Sequence, residues 1–283
     1  MNQHGPWALI GGGNMGRAML SGVMARWPST RVMVAEPDPE ARALCRAMVN
    51  PDDVVSDAAA AVERLDACGP GADEAGTIVL AVKPQMLRGV AGAIRPLLRD
   101  RPRVVVSILA GTPGAKVREL LGPEVRVVRA MPNLAASVGQ SCTAVCVSAG
   151  AHPGDEDFAV DVFECIGPRV ERIPEAMMDA FTAVAGSGPA YVFYLAEAME
   201  KGAVSLGFSP EQARSIVTAT LRGTAAMLDG GRGGDPAALR AAVTSKGGTT
   251  AAATAVLDGA GVPGIWERAM RAARDRGTEL AAL

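Results

Sequence analysis

The segment Trp7-Ala8-Leu9-Ile10-Gly11-Gly12-Gly13-Asn14-Met15-Gly16-Arg17-Ala18-Met19 constrains this chain more than any other. A short apolar run meets three glycines and passes directly into an amphipathic run that continues to Arg26. Gly11, Gly13 and Gly16 have the G-x-G-x-x-G spacing. In a strand–turn–helix unit each has a physical duty: a tight turn, close approach of backbone to a pyrophosphate, and close packing of helix on strand. The N–H groups that open the helix, at Asn14 and Met15, then face the phosphates. A plain glycine-rich turn has the same spacing. The strand before it and the helix after it favour a dinucleotide site, and so redox chemistry.

A chain of 283 residues suggests about two domains. Hydrophobic residues make up 49% and charged residues 20%, enough for a large core. A net charge of −2 argues against nucleic-acid and membrane-surface partners, which call for a basic patch. The cysteines (45, 68, 142, 146 and 165) are odd in number and lack C-x-x-C pairs, which speaks for a reducing cytoplasm rather than disulfides or zinc. Cys142 and Cys146 sit in a Thr/Val-rich stretch and read as small core residues. The glycine turn occupies the place of a signal peptide. The longest apolar window, near Ala180 to Met199, is broken by Gly186-Ser187-Gly188-Pro189 and carries Glu197, so no membrane span is expected. His4 and His152 stand apart from acids and thiols, so no metal site is expected.

Strand patterns at Ala8–Ile10, Val32–Ala35, Thr77–Val82, Val104–Ile108 and Val125–Val128 alternate with helical ones. The helical stretches are Asn14–Arg26, Pro39–Met48, Ala58–Leu65, Pro84–Leu98 and Pro113–Leu121. Continuous apolar strands between helices predict a doubly wound, mostly parallel α/β sheet. Thr143–Val147 and Arg169–Ile173 read as its last strands, and Asp66 to Gly76 as a surface insertion. After Pro174 the strand signal ends. Residues 1–173 are therefore expected to form the Rossmann-type domain and 174–283 an all-α domain. Ser209-Pro210-Glu211 and Asp235-Pro236 start helices; Gly230-Gly231 and Gly259-Ala260-Gly261 stop them. The Ala-rich helices suit close helix–helix approach, either across an interface or in a monomeric core.

Several segments could carry chemistry. Glu36 ends the second strand, twenty residues beyond Gly16, where an acid accepts ribose hydroxyls and repels a 2′-phosphate. This weights the choice of NADH or NADPH toward NADH. Glu36-Pro37-Asp38-Pro39 also reads as a simple turn into a helix. Ala81, Val82, Lys83 and Pro84 end the strand after the insertion, at the carboxyl edge that lines the ligand crevice. Ala110, in Ser107-Ile108-Leu109-Ala110-Gly111, leaves space for a flat ring. Arg129, in Arg129–Asn133, is either a site residue or a structural ion-pair partner. Val243-Thr244-Ser245-Lys246-Gly247-Gly248-Thr249-Thr250 opens an Ala-rich helix. Its glycines and hydroxyls make a nest of N–H donors suited to a small carboxylate, or an ordinary helix–helix turn.

Together these segments resemble pyrroline-5-carboxylate reductase over nearly the whole chain. The carriers are the Gly-Gly-Gly-Asn-Met-Gly turn, Ala81–Pro84, Arg129–Asn133, Gly186-Ser187-Gly188-Pro189-Ala190-Tyr191 and Ser245–Thr250. The resemblance implies a Rossmann domain followed by a helical dimerisation domain, with dimers often assembled into a decamer. It implies NADPH or NADH as hydride donor and L-1-pyrroline-5-carboxylate as substrate. By the same resemblance, Ser245, Gly247, Gly248 and Thr249 hold the substrate carboxylate. Thr250 bonds the ring nitrogen as the catalytic residue, and Ala81, Lys83 and Ala110 face the cofactor. Asp57 stands where the family often has an asparagine. The chain departs from the family pattern at Leu134, Ala135, Ser141 and Lys246, and in the length of the 66–76 segment.

An electrophilic C=N bond needs positioning more than a strong acid, which agrees with the lack of a catalytic His or acid pair. A 3-hydroxy-acid dehydrogenase would need a lysine where Val192 stands. Reduction of a different cyclic imino acid stays open, since a carboxylate nest does not measure ring size. A dinucleotide-binding redox sensor is the non-enzymatic alternative, but it would not need a second anion site.

Overall fold

The computed structural model describes residues 5–68, 76–99, 101–229 and 234–281. His4, the Gly230-Gly231 stop and most of the 66–76 segment lie outside them. By compactness the chain divides into one unit of residues 1–187 plus 273–283, and a second of residues 188–272.

The first unit is built on β1 (Trp7–Ile10), β2 (Val32–Ala35), β3 (Val54–Val55), β4 (Ile78–Leu80), β5 (Arg103–Ser107), β6 (Val125–Met131), β7 (Cys142–Val147) and β8 (Arg169–Arg172). They form one sheet in the order β3-β2-β1-β4-β5-β6-β7-β8. All neighbours are parallel except β6 and β7, where Ala130 faces Val145 in antiparallel register. The order reverses between β1 and β4, where Leu9 pairs with both Val34 and Val79. A crevice opens at the carboxyl ends of the strands at such a switch point.

Successive residues of β1 feed opposite faces of the sheet, as the strand period of two requires. Ala8 and Ile10 pack in one buried cluster with Ala61 and Ile94; Trp7 and Leu9 pack in another with Met19 and Phe163. The first cluster is covered by α3 (Ala58–Cys68), α4 (Leu87–Ile94) and α5 (Gly114–Leu121); the second by α1 (Asn14–Arg26), α2 (Pro39–Arg46) and α6 (Asp157–Glu164). In α1 the buried residues are Gly16, Met19, Leu20 and Val23, a single stripe at helical spacing. Asp38 caps α2 by accepting the Ala41 N–H at 2.8 Å, with Pro39 at the first helical position.

Two expectations shift. The helix expected over Pro84–Leu98 is interrupted: Pro84–Met86 and Arg95–Leu98 are 3₁₀ turns around α4. Each begins with, or has near its start, a proline whose ring fits a first turn and not a helix interior. The strand expected over Thr77–Val82 is the shorter Ile78–Leu80. Helix α7 (Met178–Phe181) runs into a π-helical turn, Thr182–Gly186, before the first unit ends.

The second unit contains α8 (Gly188–Ser205), α9 (Pro210–Asp229), α10 (Pro236–Ala242), α11 (Thr249–Gly259) and the start of α12 (Val262–Ala281). Ser209 and Gln212 form a reciprocal capping box at α9: the Gln212 N–H donates to Ser209 Oγ and the Ser209 N–H to Gln212 Oε1. Among the described residues of this unit only Ala213 and Val217 are buried apolar side chains. Large apolar groups stay exposed instead, including Phe193, Tyr194, Leu206 and Val256. Among the described residues of this unit, the monomeric core that the Ala-rich pattern left open does not extend beyond these two side chains. No helix among the described residues is long and apolar enough to cross a membrane.

Candidate active site

The glycine turn sits at the switch point, and each glycine answers to a different neighbour. Gly11 has φ +112°, and a Cβ there would run into the Ala81 carbonyl. A Cβ on Gly16 would overlap the Gly11 carbonyl oxygen. A Cβ on Gly13 would meet nothing within 4 Å, so the backbone there lies open. Gly13 is the N-cap of α1 and no side chain caps that helix, which leaves its first N–H groups for a ligand. This is the cradle that a pyrophosphate fits. Arg17 braces it, donating to the Gly12 carbonyl at 2.8 Å and to Asn14 Oδ1 at 2.7 Å.

Two cavities adjoin the turn. One, of about 580 Å³, has Gly11, Gly13, Glu36, Ala81, Val82 and Lys83 on its walls, with Asp57 beyond them. The other, of about 360 Å³, lies against Asn14, Met15, Ala110, Met131, Asn133 and Gly186. The structure thus gathers most of the expected cofactor residues around one turn. Gly16 is buried beneath it. Pro84 lies elsewhere, on a third cavity of about 550 Å³ between the starts of α4 and α5.

Glu36 is buried on the wall of the first cavity, and its carboxylate is already engaged. Oε2 accepts the Gly12 N–H at 2.7 Å and Oε1 the Asp38 N–H at 2.9 Å. These two bonds make Glu36 the residue that shapes the turn into α2, and the same side chain lies on the cavity wall. The nearby cation, Arg42, is turned onto the carbonyls of Glu36 and Pro37 at 2.9 and 2.8 Å. The Cys45 thiol is packed beneath Gly12, and burial raises its pKa. Lys83 is exposed at the cleft, in no ion pair among the described residues.

The second cavity is held by side chains from distant parts of the sequence. Asn133 donates to the Ala185 carbonyl of the π turn at 3.0 Å and accepts the Ala135 N–H at 3.2 Å. Arg129, 5% exposed, pairs with Glu175 at 3.2 Å, so it is the structural ion-pair partner of the two readings. Glu175 also accepts the Gly114 N–H and the Ser148 hydroxyl. Burial opposes its charge, but the Ser148, Gly114 and Arg129 bonds win and hold its pKa below the ordinary carboxylate value. Sequence reasoning missed Glu175, Ser148 and Arg17. Only Arg17, directly after Gly16, lay where the motif could have drawn attention to it.

The anion nest lies within the second unit. Gly247 has φ +73°, the left-handed conformation that glycine tolerates. Gly248 caps α11 in extended conformation, and no side chain caps it. Its own N–H is taken by the Ser245 carbonyl at 3.1 Å, so the donors left for a carboxylate are those of Thr249, Thr250 and Ala251. The expectation that Gly248 donates to substrate is thus at odds with this turn as it stands. Ser245 Oγ lies against Gly248, and the Thr250 hydroxyl has no hydrogen-bond partner among the described residues.

Residues 175–280 match the family profile described as pyrroline-5-carboxylate reductase dimerisation, and residues 7–111 one described as NADP oxidoreductase, coenzyme F420-dependent. The pyrroline-5-carboxylate reductase of Pseudomonas aeruginosa is 35% identical, with 97% of this chain and 96% of the relative covered. This chain belongs to the pyrroline-5-carboxylate reductases. The enzyme of that name from Haemophilus influenzae is 33% identical over 99% of both chains. Among solved structures, the pyrroline-5-carboxylate reductase of Coxiella burnetii superposes with a TM-score of 0.84 at 28% identity, covering 97% of this chain and 98% of the other. A Plasmodium falciparum pyrroline carboxylate reductase with NADP bound gives 0.80 at 25% identity, over 99% of both chains. The two cavities at the glycine turn are thus those of a pyrroline-5-carboxylate reductase fold.

Proposed function

We propose that this chain reduces the C=N bond of L-1-pyrroline-5-carboxylate to give L-proline, the final step of proline synthesis. The observation that carries this is that a chain of this family has an uncapped, glycine-lined helix start at Gly13 in one unit and a second uncapped helix start at Gly248 in the other. When bound, a reduced nicotinamide supplies the hydride. Gly13, Asn14 and Met15 hold the pyrophosphate through backbone N–H groups, while Gly11, whose own N–H donates to the Ala35 carbonyl at 2.9 Å, shapes the turn beneath it. Ala81, Val82, Lys83 and Glu36 line the adenosine side, and Ala110 leaves room on the nicotinamide side. Ser245 and the N–H groups of Thr249 and Thr250 hold the substrate carboxylate, with Gly247 and Gly248 shaping the turn. The Thr250 hydroxyl orients the ring nitrogen, which takes up a proton as the adjacent carbon accepts the hydride. Positioning of this kind can offset several kcal/mol of barrier.

Glu36 favours NADH, because its charge repels an adenosine 2′-phosphate. The exposed apolar helices favour a homodimer through residues 174–283, working in the cytoplasm; a decamer of such dimers is the larger assembly the family suggests. The test is oxidation of NADH, and separately NADPH, by purified protein with L-1-pyrroline-5-carboxylate. Turnover with a higher kcat/KM for NADH supports both parts. Turnover only with another cyclic imino acid would move the substrate, and cofactor binding without any turnover would leave a sensor.

A further inference from the structure

One carboxylate ties together two chain segments that lead to the walls of the cavity beside Asn14 and Met15. Glu175 Oε1 accepts the Gly114 N–H at 2.9 Å and Arg129 Nη1 at 3.2 Å, while Oε2 accepts the Ser148 hydroxyl at 2.5 Å. Arg129 is 5% exposed, so its charge is out of water and depends on this partner. Gly114 opens α5, and its N–H is one of the donors that a helix leaves unpaired. The packing is tight as well as polar: a Cβ on Gly114 would overlap the Ser148 side chain. Neither Glu175 nor Ser148 lines the cavity.

Both groups that Glu175 grips lead to that cavity by short lengths of chain. Ala110 precedes Gly114 by four residues, through Gly111 in the left-handed conformation and Pro113. Met131 follows Arg129 by two residues along β6. Ala110 and Met131 are both on its wall. We infer that Glu175 is a positioning residue for the nicotinamide end of the cofactor, fixing the 110–113 loop relative to the end of β6. This rests on the proposal that the nicotinamide occupies this side of the glycine turn. It requires that the adenosine side, walled by Glu36 and Lys83, be indifferent to Glu175.

The test separates the two halves of the cofactor. Binding of NADH and of ADP-ribose, which lacks the nicotinamide ring, is measured by titration calorimetry on wild type, Glu175→Ala, Glu175→Gln and Ser148→Ala. Glu175→Ala should weaken NADH by about tenfold or more and leave ADP-ribose within about twofold. Glu175→Gln should recover most of the loss, because its amide oxygen still accepts from Gly114 and its amide nitrogen donates to Ser148. Ser148→Ala, the milder change, should weaken NADH alone and keeps the test alive if Glu175→Ala does not fold. Equal losses for both ligands would overturn the inference, as would unchanged NADH binding in both Glu175→Ala and Ser148→Ala. A wild-type protein that binds NADH but turns over no imine overturns the proposed function instead, so the two failures are distinct.

Discussion

The carbonyl oxygen of Gly11 lies where a Cβ on Gly16 would have to stand. Gly16→Ala must therefore push α1 away from β1, and overpacking of this kind costs about 1–3 kcal/mol. Gly13 differs: it already has φ −64° and ψ −169°, which any residue adopts, and open space where a Cβ would point. Gly13→Ala should change stability by no more than about 0.5 kcal/mol yet weaken NADH binding by about tenfold or more, since the methyl fills the pyrophosphate cradle. Thermal melts and titration of NADH on the two variants check the contrast. Loss of stability in Gly13→Ala, or unchanged cofactor binding, would remove the cradle argument.

Glu36 shapes the turn into α2 and is proposed to select NADH, and a single substitution should separate the two roles. Glu36→Gln keeps one acceptor oxygen for the N–H groups of Gly12 and Asp38, so one of two charge-assisted bonds is lost. The expected cost is about 1.5–3 kcal/mol of stability. Removal of the charge should also shift the ratio of kcat/KM for NADH over NADPH toward NADPH by about tenfold. Steady-state kinetics with both cofactors measure the second effect. A ratio that does not move would show that Glu36 is a turn residue only.

The parts of this molecule that were legible in its sequence are those governed by local periodicity. Helix α1 spans the expected Asn14–Arg26 because Gly16, Met19, Leu20 and Val23 keep helical spacing and Pro28 follows the end. The strand β2 and the cap at Asp38 were equally readable, as apolar run and turn chemistry. The strand β3 escaped because two residues, Val54 and Val55, cannot display a period. The antiparallel step from β6 to β7 escaped because strand direction has no local signature. Glu175 escaped for a stronger reason. Its partners Gly114, Arg129 and Ser148 lie 27 to 61 residues away, so only the folded sheet brings them together.

The Glu175 cluster also has a consequence in acid. Its partners hold the carboxyl below its ordinary range; the charged groups facing it are Arg129 and, when ionised, the Cys146 thiol. A depressed folded-state pKa stabilises the fold above the unfolded carboxyl pKa of about 4.3, and that contribution is lost as pH falls through the folded value. Glu175→Gln should therefore be less stable than wild type at neutral pH and approach it as the pH drops below about 4. Melting temperatures of both proteins across this window test the sign. A difference that stays constant with pH would mean that the charge of Glu175 contributes nothing.

The Thr250 hydroxyl stands on the first turn of α11 without a partner among the described residues, while its carbonyl accepts Thr254 Oγ1 at 3.0 Å. Its removal should leave the helix intact. Thr250→Ala is expected to lower kcat by about tenfold to a hundredfold, and Thr250→Ser to recover most of it. The carboxylate held at the helix start is untouched, so the substrate KM should change little. Full kcat in Thr250→Ala would end its catalytic role.

The last relationship concerns what the second unit leaves uncovered. Phe193 and Tyr194, on α8, are 61% and 73% exposed in the single chain, and no residue of α8 is buried. Surfaces of this kind are uncommon on soluble monomers and mark sites of association. At about 25 cal/mol per Å², burial of a phenylalanine side chain contributes roughly 1.5–3 kcal/mol, and a symmetric interface counts it twice. Phe193→Glu would place a carboxylate in that interface on both subunits, where it could be neither hydrated nor paired. Light scattering after size exclusion should show a dimer or larger for wild type and a shift to monomer for Phe193→Glu, with a lower melting temperature. Imine reduction should fall with dissociation, while ADP-ribose binding, which needs only the glycine turn and its adenosine side, should persist. A Phe193→Glu protein that remains oligomeric and active would place the interface on a different face of the helices.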